Sequence, residues 1–368
     1  MTVVETIMLK KLKTITLQMI AGANIATIII MFFLGFSDYV YPASHPYIAC
    51  AGLMFPLFLF FNLLFLIFWV LFHFRGVWIP VLGFIVCYAS ISVYYPINKS
   101  KKVPSGAIKI LSYNVESFGI DSVNADGTYP VVEYIRNSDA DIVCLQEDMA
   151  DEQLRNKINN RLSRYKYRDI TKIGDTNGMG FYSRYPIVSK ERILYESKNN
   201  GSMAYHLKIG TDTILVINNH FENCHLTQDD RKSYKEILKG QMKKDTAKIE
   251  SKKLMQRLAL SGAIRCHQVD KVVEYIKAHS RESIILCGDF NDNPISYSRR
   301  MIAKELTDCY VKTGNGIGIS YNRRGFYVRI DNIMCSSDWT PYNCKVDKKT
   351  KASDHYPIYC WMKKHRKL

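Results

Sequence analysis

A chain of 368 residues is too long for a single average domain, so one large domain, or one domain plus an appendage, is expected. The formal net charge is +16; four Lys and Arg against two Asp and Glu fall among the first 98 residues, which leaves +14 on the remainder. Such a surplus attracts phosphates on nucleic acid, phosphoinositides or an anionic membrane face, or is simply a soluble basic surface, while the spacing of the 10 Cys excludes a cysteine metal cluster and defines no disulfide framework.

Three apolar segments open the chain, about Leu17 to Phe36, Tyr47 to Phe72 and Val77 to Tyr95. Each has roughly the 20 residues with which a helix crosses a bilayer. One such segment alone also fits a buried core helix. Three in tandem, almost without charge, predict a membrane domain over residues 1–98 with transmembrane helices at 17–36, 47–72 and 77–95. A cleaved signal peptide does not fit, because no small-residue cleavage site precedes soluble sequence before two further spans. Lys10, Lys11 and Lys13 precede the first span and Arg75 sits in the second loop, whereas the first loop, SDYVYPASHP, has no Lys or Arg. The positive-inside rule therefore puts the N-terminus in the cytoplasm and, after three crossings, the rest of the chain outside it, although Lys99, Lys101 and Lys102 pull the other way.

Beyond a linker at 99–106, a strand is predicted from about Ile108 to Val115, with Asn114 near its end as a turn cap or a ligand. A helix follows from about Tyr129 to Asn137, then a buried strand, Ile142 to Leu145, that ends in Gln146 and Glu147. A carboxylate at the end of a wholly apolar strand is costly to bury without a compensating cation, unless that end reaches solvent. A helix from Glu152 to Arg164, a short strand at Phe181 and Tyr182 and a turn at Arg184-Tyr185-Pro186 precede the strand Ile214 to Ile217, with Asn219 and His220 at its end.

From about 226 to 278 the composition becomes charged and helical, and apolar residues such as Ile237, Met242, Ile249, Leu254 and Leu258 predict amphipathic helices with basic outer faces. These form a solvated face, or a lid for substrate or membrane beside a site. Ile284, Ile285, Leu286 and Cys287 then read as a doubly buried strand running into GDFNDNP, where Asp289 and Asn291, two residues apart, project to one side if the backbone is extended. An Asx turn is the competing reading. A helix at Ser298 to Glu305 and the loop TGNGIGIS come next; the loop opens no helix of the kind a dinucleotide fingerprint requires. A strand in FYVRIDNIMCS carries Asp331, and Asp354 and His355 immediately precede a closing strand, Tyr356 to Met362.

Together SYNVESF, DIVCLQED, GFYSRYPI, NNHFEN, GDFNDNP, RIDNI and SDHYPI, in this order, resemble the endonuclease/exonuclease/phosphatase superfamily over about residues 107–364, with 226–278 longer than the pattern needs. The resemblance implies an α/β fold, a two-sheet sandwich flanked by helices, and Mg²⁺- or Mn²⁺-dependent cleavage of phosphoester bonds where strand ends converge. It gives Glu147, assisted by Asn114, the metal; Asp289 the attacking water; Asn291 the positioning of water or phosphate; and His355, oriented by Asp331, the charge on the phosphoryl oxygens. His220 matches an additional phosphate-binding or proton-donating histidine, Asp354 completes the metal or water shell, and Asn219, Arg329 and Tyr182 are candidate substrate contacts. Independently, Glu147, Asp289, Asp331 and Asp354 could not share a pocket as four free anions without protonation or a divalent cation, and hard oxygen donors suit Mg²⁺. The expected partners are membrane lipids and a phosphoester substrate: nucleic acid for a nuclease or phosphodiesterase, or phospholipid or inositol phosphate for a phosphatase or phospholipase C-like enzyme. A catalytically dead, membrane-tethered phosphate-binding module is the non-enzymatic alternative.

Overall fold

The computed structural model describes residues 3–119, 123–124, 127–175, 177–323 and 326–365. It opens with α1 (Val3–Gly35), α2 (Pro46–Ala49), α3 (Phe55–Phe72), α4 (Trp78–Val86) and α5 (Tyr88–Tyr94). Among the described residues, two stretches are long and apolar enough to cross a membrane, Val4–Tyr39 and Pro46–Phe72. The third expected span is not one straight helix: Phe74–Val86 and Tyr88–Tyr94 meet at 68°, so there are three spans only if this bent pair counts as one. The bend lays α5 across the end of α1, where the Ser90 hydroxyl donates to the Gly35 carbonyl at 2.9 Å. A Cβ on Gly35 would lie 2.5 Å from that hydroxyl oxygen, so this close crossing requires glycine.

Inside the helical bundle, buried polar groups find one another. The Asn24 amide donates to Asn62 Oδ1 at 3.1 Å, Asn62 donates to the Pro80 carbonyl at 3.0 Å and the Trp69 indole donates to Asn24 Oδ1 at 3.2 Å. Interhelical bonds of this kind contribute about 0.6–2 kcal/mol each. Asn62→Leu is therefore expected to lower bundle stability by roughly 1–2 kcal/mol, read as a lower unfolding midpoint in detergent; an unchanged midpoint would show that the relay contributes nothing.

The chain continues through β1 (Ile108–Asn114), α6 (Pro130–Ser138), β2 (Ile142–Gln146), α7 (Glu152–Arg161), β3 (Tyr167–Ile173), β4 (Asn177–Ser183), β5 (Ile187–Ile193), β6 (Gly201–Ile209) and β7 (Asp212–His220). After α8 (Gln228–Leu238) and α9 (Lys244–Ala278) come β8 (Ser283–Asp289), α10 (Tyr297–Ala303), β9 (Thr307–Asp308), α11 (Cys309–Thr313), β10 (Tyr321–Arg323), β11 (Phe326–Val328), β12 (Asp331–Cys335), β13 (Trp339–Val346) and β14 (Ile358–Lys364). Two six-stranded sheets result, ordered β13-β14-β1-β2-β4-β3 and β5-β6-β7-β8-β12-β9, with β10 and β11 as a separate ribbon.

Period-two alternation in the central strands builds the layers. Ile110, Ile142, Cys144, Val216, Ile285 and Cys287 fill the space between the sheets. Their sequence neighbours Leu111, Val143 and Leu145 point outward into a layer with α6 and α7, and Leu215, Ile217 and Leu286 into a layer with α9 and α10. Strands buried on both faces are why these stretches are continuously apolar. The expected strand through Asp331 is divided into β11 and β12, and the amphipathic region beyond α8 is mainly one helix of 35 residues.

The helical and sandwich parts are packed together. Tyr41, between α1 and α2, donates to Asp270 on α9 at 3.1 Å and meets the Tyr297 ring edge-on at 5.3 Å. A Cβ on Gly52 would lie 2.4 Å from the Ile295 carbonyl, and Ile295 itself sits in an apolar cluster with Met31, Phe55, Cys87 and Tyr94. Arg329, 2% exposed, donates to the carbonyls of Val93 at the end of α5 and of Ile317.

Candidate active site

Strand register brings the acidic strand ends together. Parallel β7 and β8 pair His220 with Asp289, antiparallel β8 and β12 pair Asp289 with Asp331, and parallel β1 and β2 pair Asn114 with Gln146, just before Glu147. Gly288 makes the β7–β8 approach possible: at φ +140 its imagined Cβ would stand 1.9 Å from the Asn219 carbonyl oxygen. Glu147 and Asn291 have φ of 55 and 51, left-handed conformations that non-glycine residues adopt at a cost and that concentrate at functional sites.

The side chains converge on one point. Asn114 donates to Glu147 Oε1 at 2.9 Å and to Asp289 Oδ2 at 3.2 Å. His355 Nδ1 lies 2.8 Å from Asp331 Oδ2, and its Nε2 lies 3.6 Å from Asp289 Oδ2. His220 Nε2 stands 3.8 Å from Glu147 and 3.9 Å from Asp289, while its Nδ1 is 3.1 Å from the Asn177 amide. Asp289 Oδ1 accepts from the Asn291 N–H at 2.8 Å, so the Asx turn is real, and the Asn291 amide turns away to donate to the Phe221 carbonyl. The turn and the site thus coexist.

Burial sets the electrostatics. It pushes the Asp289 carboxyl up to about 6 and raises Glu147 above the usual carboxylate range. Burial lowers His220; for His355 burial works the same way, but the carboxylates of Asp331 and Asp289 outweigh it and hold the imidazolium well above the ordinary histidine range.

The donor set fits a divalent cation. Ligand atoms of Asp289, Asp331 and His355 lie within 4.8 Å of one another, but the Asp331 oxygen nearest the ring already accepts from it. Glu147, with 36% side-chain exposure, is the carboxylate facing the opening, and its burial-raised proton affinity is what a hard cation would relieve. His220 Nε2 and Asp331 Oδ1 are buried with no hydrogen-bond partner among the described residues, two polar atoms aimed at the same region. Asn114 presents its N–H₂ to the carboxylates and its oxygen to the Glu116 N–H, so in this arrangement it steadies Glu147. Asp354 lines the cavity with one oxygen 2.9 Å from Arg323, a cation that also pairs with Glu116.

Three expected substrate contacts lie elsewhere. Tyr182 is buried in the layer under α7 and its hydroxyl accepts from Arg155. Asn219 turns away from the site, because alternation along β7 puts it on the opposite face from His220; its oxygen accepts from Ser202. Arg329 is spent on Val93 and Ile317, with its guanidinium 4.3 Å over Tyr310.

Residues not singled out in the sequence also shape the site. Asn177 holds His220, Glu116 and Arg323 hold Asp354, and buried Arg265 on α9 donates to the carbonyls of Glu222 (2.8 Å) and Asn291 (2.6 Å). Glu116 was visible inside SYNVESF; the others carry no local signal, since each acts on a residue distant in sequence. The cavity, about 290 Å³, is bounded by Glu147, Asp289, Asn291, Asp354 and His355 at one end and by residues of the α1–α3 connection at the other.

A family model described as "Endonuclease/Exonuclease/phosphatase family" matches residues 111–355, and one described as a domain of unknown function matches 17–94. No curated protein matches. Solved structures do: the human Nocturnin catalytic domain with bound sulfate anion (14% identity, 72% of this chain and 96% of that one, TM-score 0.50). An endonuclease/exonuclease/phosphatase from Beutenbergia cavernae gives 16% identity over 70% and 72%, with TM-score 0.50, and a family protein from Bacteroides thetaiotaomicron gives 19% over 71% and 98%, with TM-score 0.48.

Proposed function

For a chain that belongs to the endonuclease/exonuclease/phosphatase family, and is thereby a phosphoester hydrolase, we propose a membrane-anchored enzyme that cleaves phosphoesters with a divalent cation, Mg²⁺ or Mn²⁺, at the Glu147–Asp289–His355 cluster. The observation that carries this reading is the convergence of Asp289, Glu147, Asn114 and the His355–Asp331 pair on one cavity. Bound beside Glu147, the cation would polarise a phosphoryl oxygen and neutralise charge on the leaving oxygen. Asp289, pushed up to about 6, orients a water and takes its proton with an affinity suited to neutral pH. His355, kept cationic and fixed by Asp331, faces the developing negative charge on the phosphoryl oxygens. His220, neutral by burial and oriented by Asn177, offers Nε2 to the same oxygens.

The full-length chain in lipid nanodiscs should hydrolyse bis(p-nitrophenyl) phosphate with Mg²⁺ and stop with EDTA; hydrolysis that survives EDTA would overturn the metal. Glu147→Gln is expected to raise the half-saturating Mg²⁺ concentration at least about tenfold, because a charged hard-oxygen donor is lost. An unchanged Mg²⁺ titration would remove Glu147 from that role.

Domain placement follows the same reading: residues 1–98 as anchor, 99–106 as linker and 107–364 as catalytic domain. With the basic N-terminus inside, three crossings put the catalytic domain outside the cytoplasm. A C-terminal alkaline phosphatase fusion should then be active and a C-terminal green fluorescent protein, exported unfolded, should stay dark; the reverse pattern would place the site at the cytoplasmic leaflet.

A further inference from the structure

The cavity is chemically two-ended, and its second end comes from the anchor. Opposite the catalytic cluster, Pro42, Pro46 and Leu53 approach from the α1–α3 connection, Leu258 from α9, and Phe326 and Val328 from the β10–β11 ribbon. Of this half of the wall, Pro42 lies between the two stretches long and apolar enough to span a membrane, and Pro46 and Leu53 lie at the start of the second, so the apolar end opens at the bilayer surface. It is held there by Tyr41 on Asp270 and by the Gly52–Ile295 contact. Tyr39, Tyr47 and Ile48, on the same segment, are more than half exposed. A site for a wholly polar phosphoester has no use for such a wall, because uncompensated apolar surface beside an aqueous substrate stabilises nothing.

Resting on the hydrolase reading above, we propose that the substrate is an amphiphilic phosphodiester, a phospholipid of the same bilayer, with its phosphate at Asp289 and His355 and its hydrocarbon chain between Leu53, Leu258 and Val328. Water forms the new P–O bond, its proton passes to Asp289, and the P–O bond to the leaving oxygen breaks with its electron pair going to that oxygen, which takes up a proton from solvent while Asp289 returns its own to solvent, giving a phosphomonoester and an alcohol.

The test uses the full-length chain in nanodiscs with Mg²⁺ and a series of p-nitrophenyl alkyl phosphodiesters from methyl to decyl, with thymidine p-nitrophenyl phosphate beside them. For each methylene that the wall covers, kcat/KM should rise about three- to fourfold, the factor that corresponds to burying one CH₂. A flat series, or a thymidine ester preferred over every alkyl ester, overturns the amphiphile while leaving the hydrolase intact; no cleavage of any member overturns the hydrolase reading itself. Because long chains also concentrate in the nanodisc lipid, the series is repeated with Leu53→Gln and with Val328→Gln. Each should flatten the chain-length slope, and a slope unchanged in both assigns the rise to partitioning and overturns the proposal.

Discussion

Asp289→Asn is expected to lower kcat by about 10²–10⁴-fold, the range that a positioned general base contributes, while the protein stays folded. The wild-type carboxyl is raised to about 6 by burial, so activity should fall as pH drops through that value and the base becomes protonated. Stability responds in the opposite sense. A carboxyl whose folded proton affinity exceeds its unfolded one favours the folded state at low pH and loses that contribution as pH rises through about 6. The buried anion therefore costs stability at neutral pH, and the neutral amide removes that cost. In EDTA at pH 7 the Tm of Asp289→Asn should match or exceed wild type. A variant that is inactive because its Tm has collapsed would refute the role given to this residue.

Arg155→Met is expected to have the largest effect on stability. Asp148, fully buried beside Glu147 in the chain, has its carboxylate paired with Arg155 of α7, and the same guanidinium donates to the Tyr182 hydroxyl at 2.8 Å. Removing the cation strands the anion: the Asp148 side chain is fully buried, with Gly180 packed so closely that a Cβ there would lie 2.0 Å from Oδ2. Breaking a buried pair from one side costs about 3–5 kcal/mol, which for a domain of this size lowers Tm by roughly 10 °C. Thermal inactivation in nanodiscs reads it. Adding Asp148→Asn to Arg155→Met should recover part of the loss, and two additive losses would show that the residues are not coupled.

What the sequence made legible follows burial. β1, β2, β7 and β8 announce themselves because both faces of their central residues are covered and apolar residues dominate there. β3 and β5, at opposite sheet edges, carry polar and charged residues along exposed faces and give no such signal. Helices α6, α7 and α10 lie within a few residues of the expected limits. Glu147, Asp289, Asp331, His220 and His355 were readable because each lies at or within two or three residues of an end of an apolar strand, and the structure brings all five to one place. Asn219, Arg329 and Tyr182 share that context, yet a one-residue alternation or a distant carbonyl decides where such side chains go, and neither is written locally. The bend at Cys87 and the apolar wall from residues 42–53 were also invisible, because both arise from packing between segments far apart in the chain.

The Arg329 contact bears on how such a chain is inherited. Its guanidinium, buried in the sandwich, is satisfied by a carbonyl that belongs to the N-terminal helical part, and a Cβ on Gly52 would meet the Ile295 carbonyl of the sandwich. A recombinant that joined this sandwich to an unrelated helical part would leave a guanidinium without its acceptor and a cavity without one wall. The two halves are thus expected to travel through lineages together, and the stretch at 99–106, which looks like a seam, is a poor place for exchange.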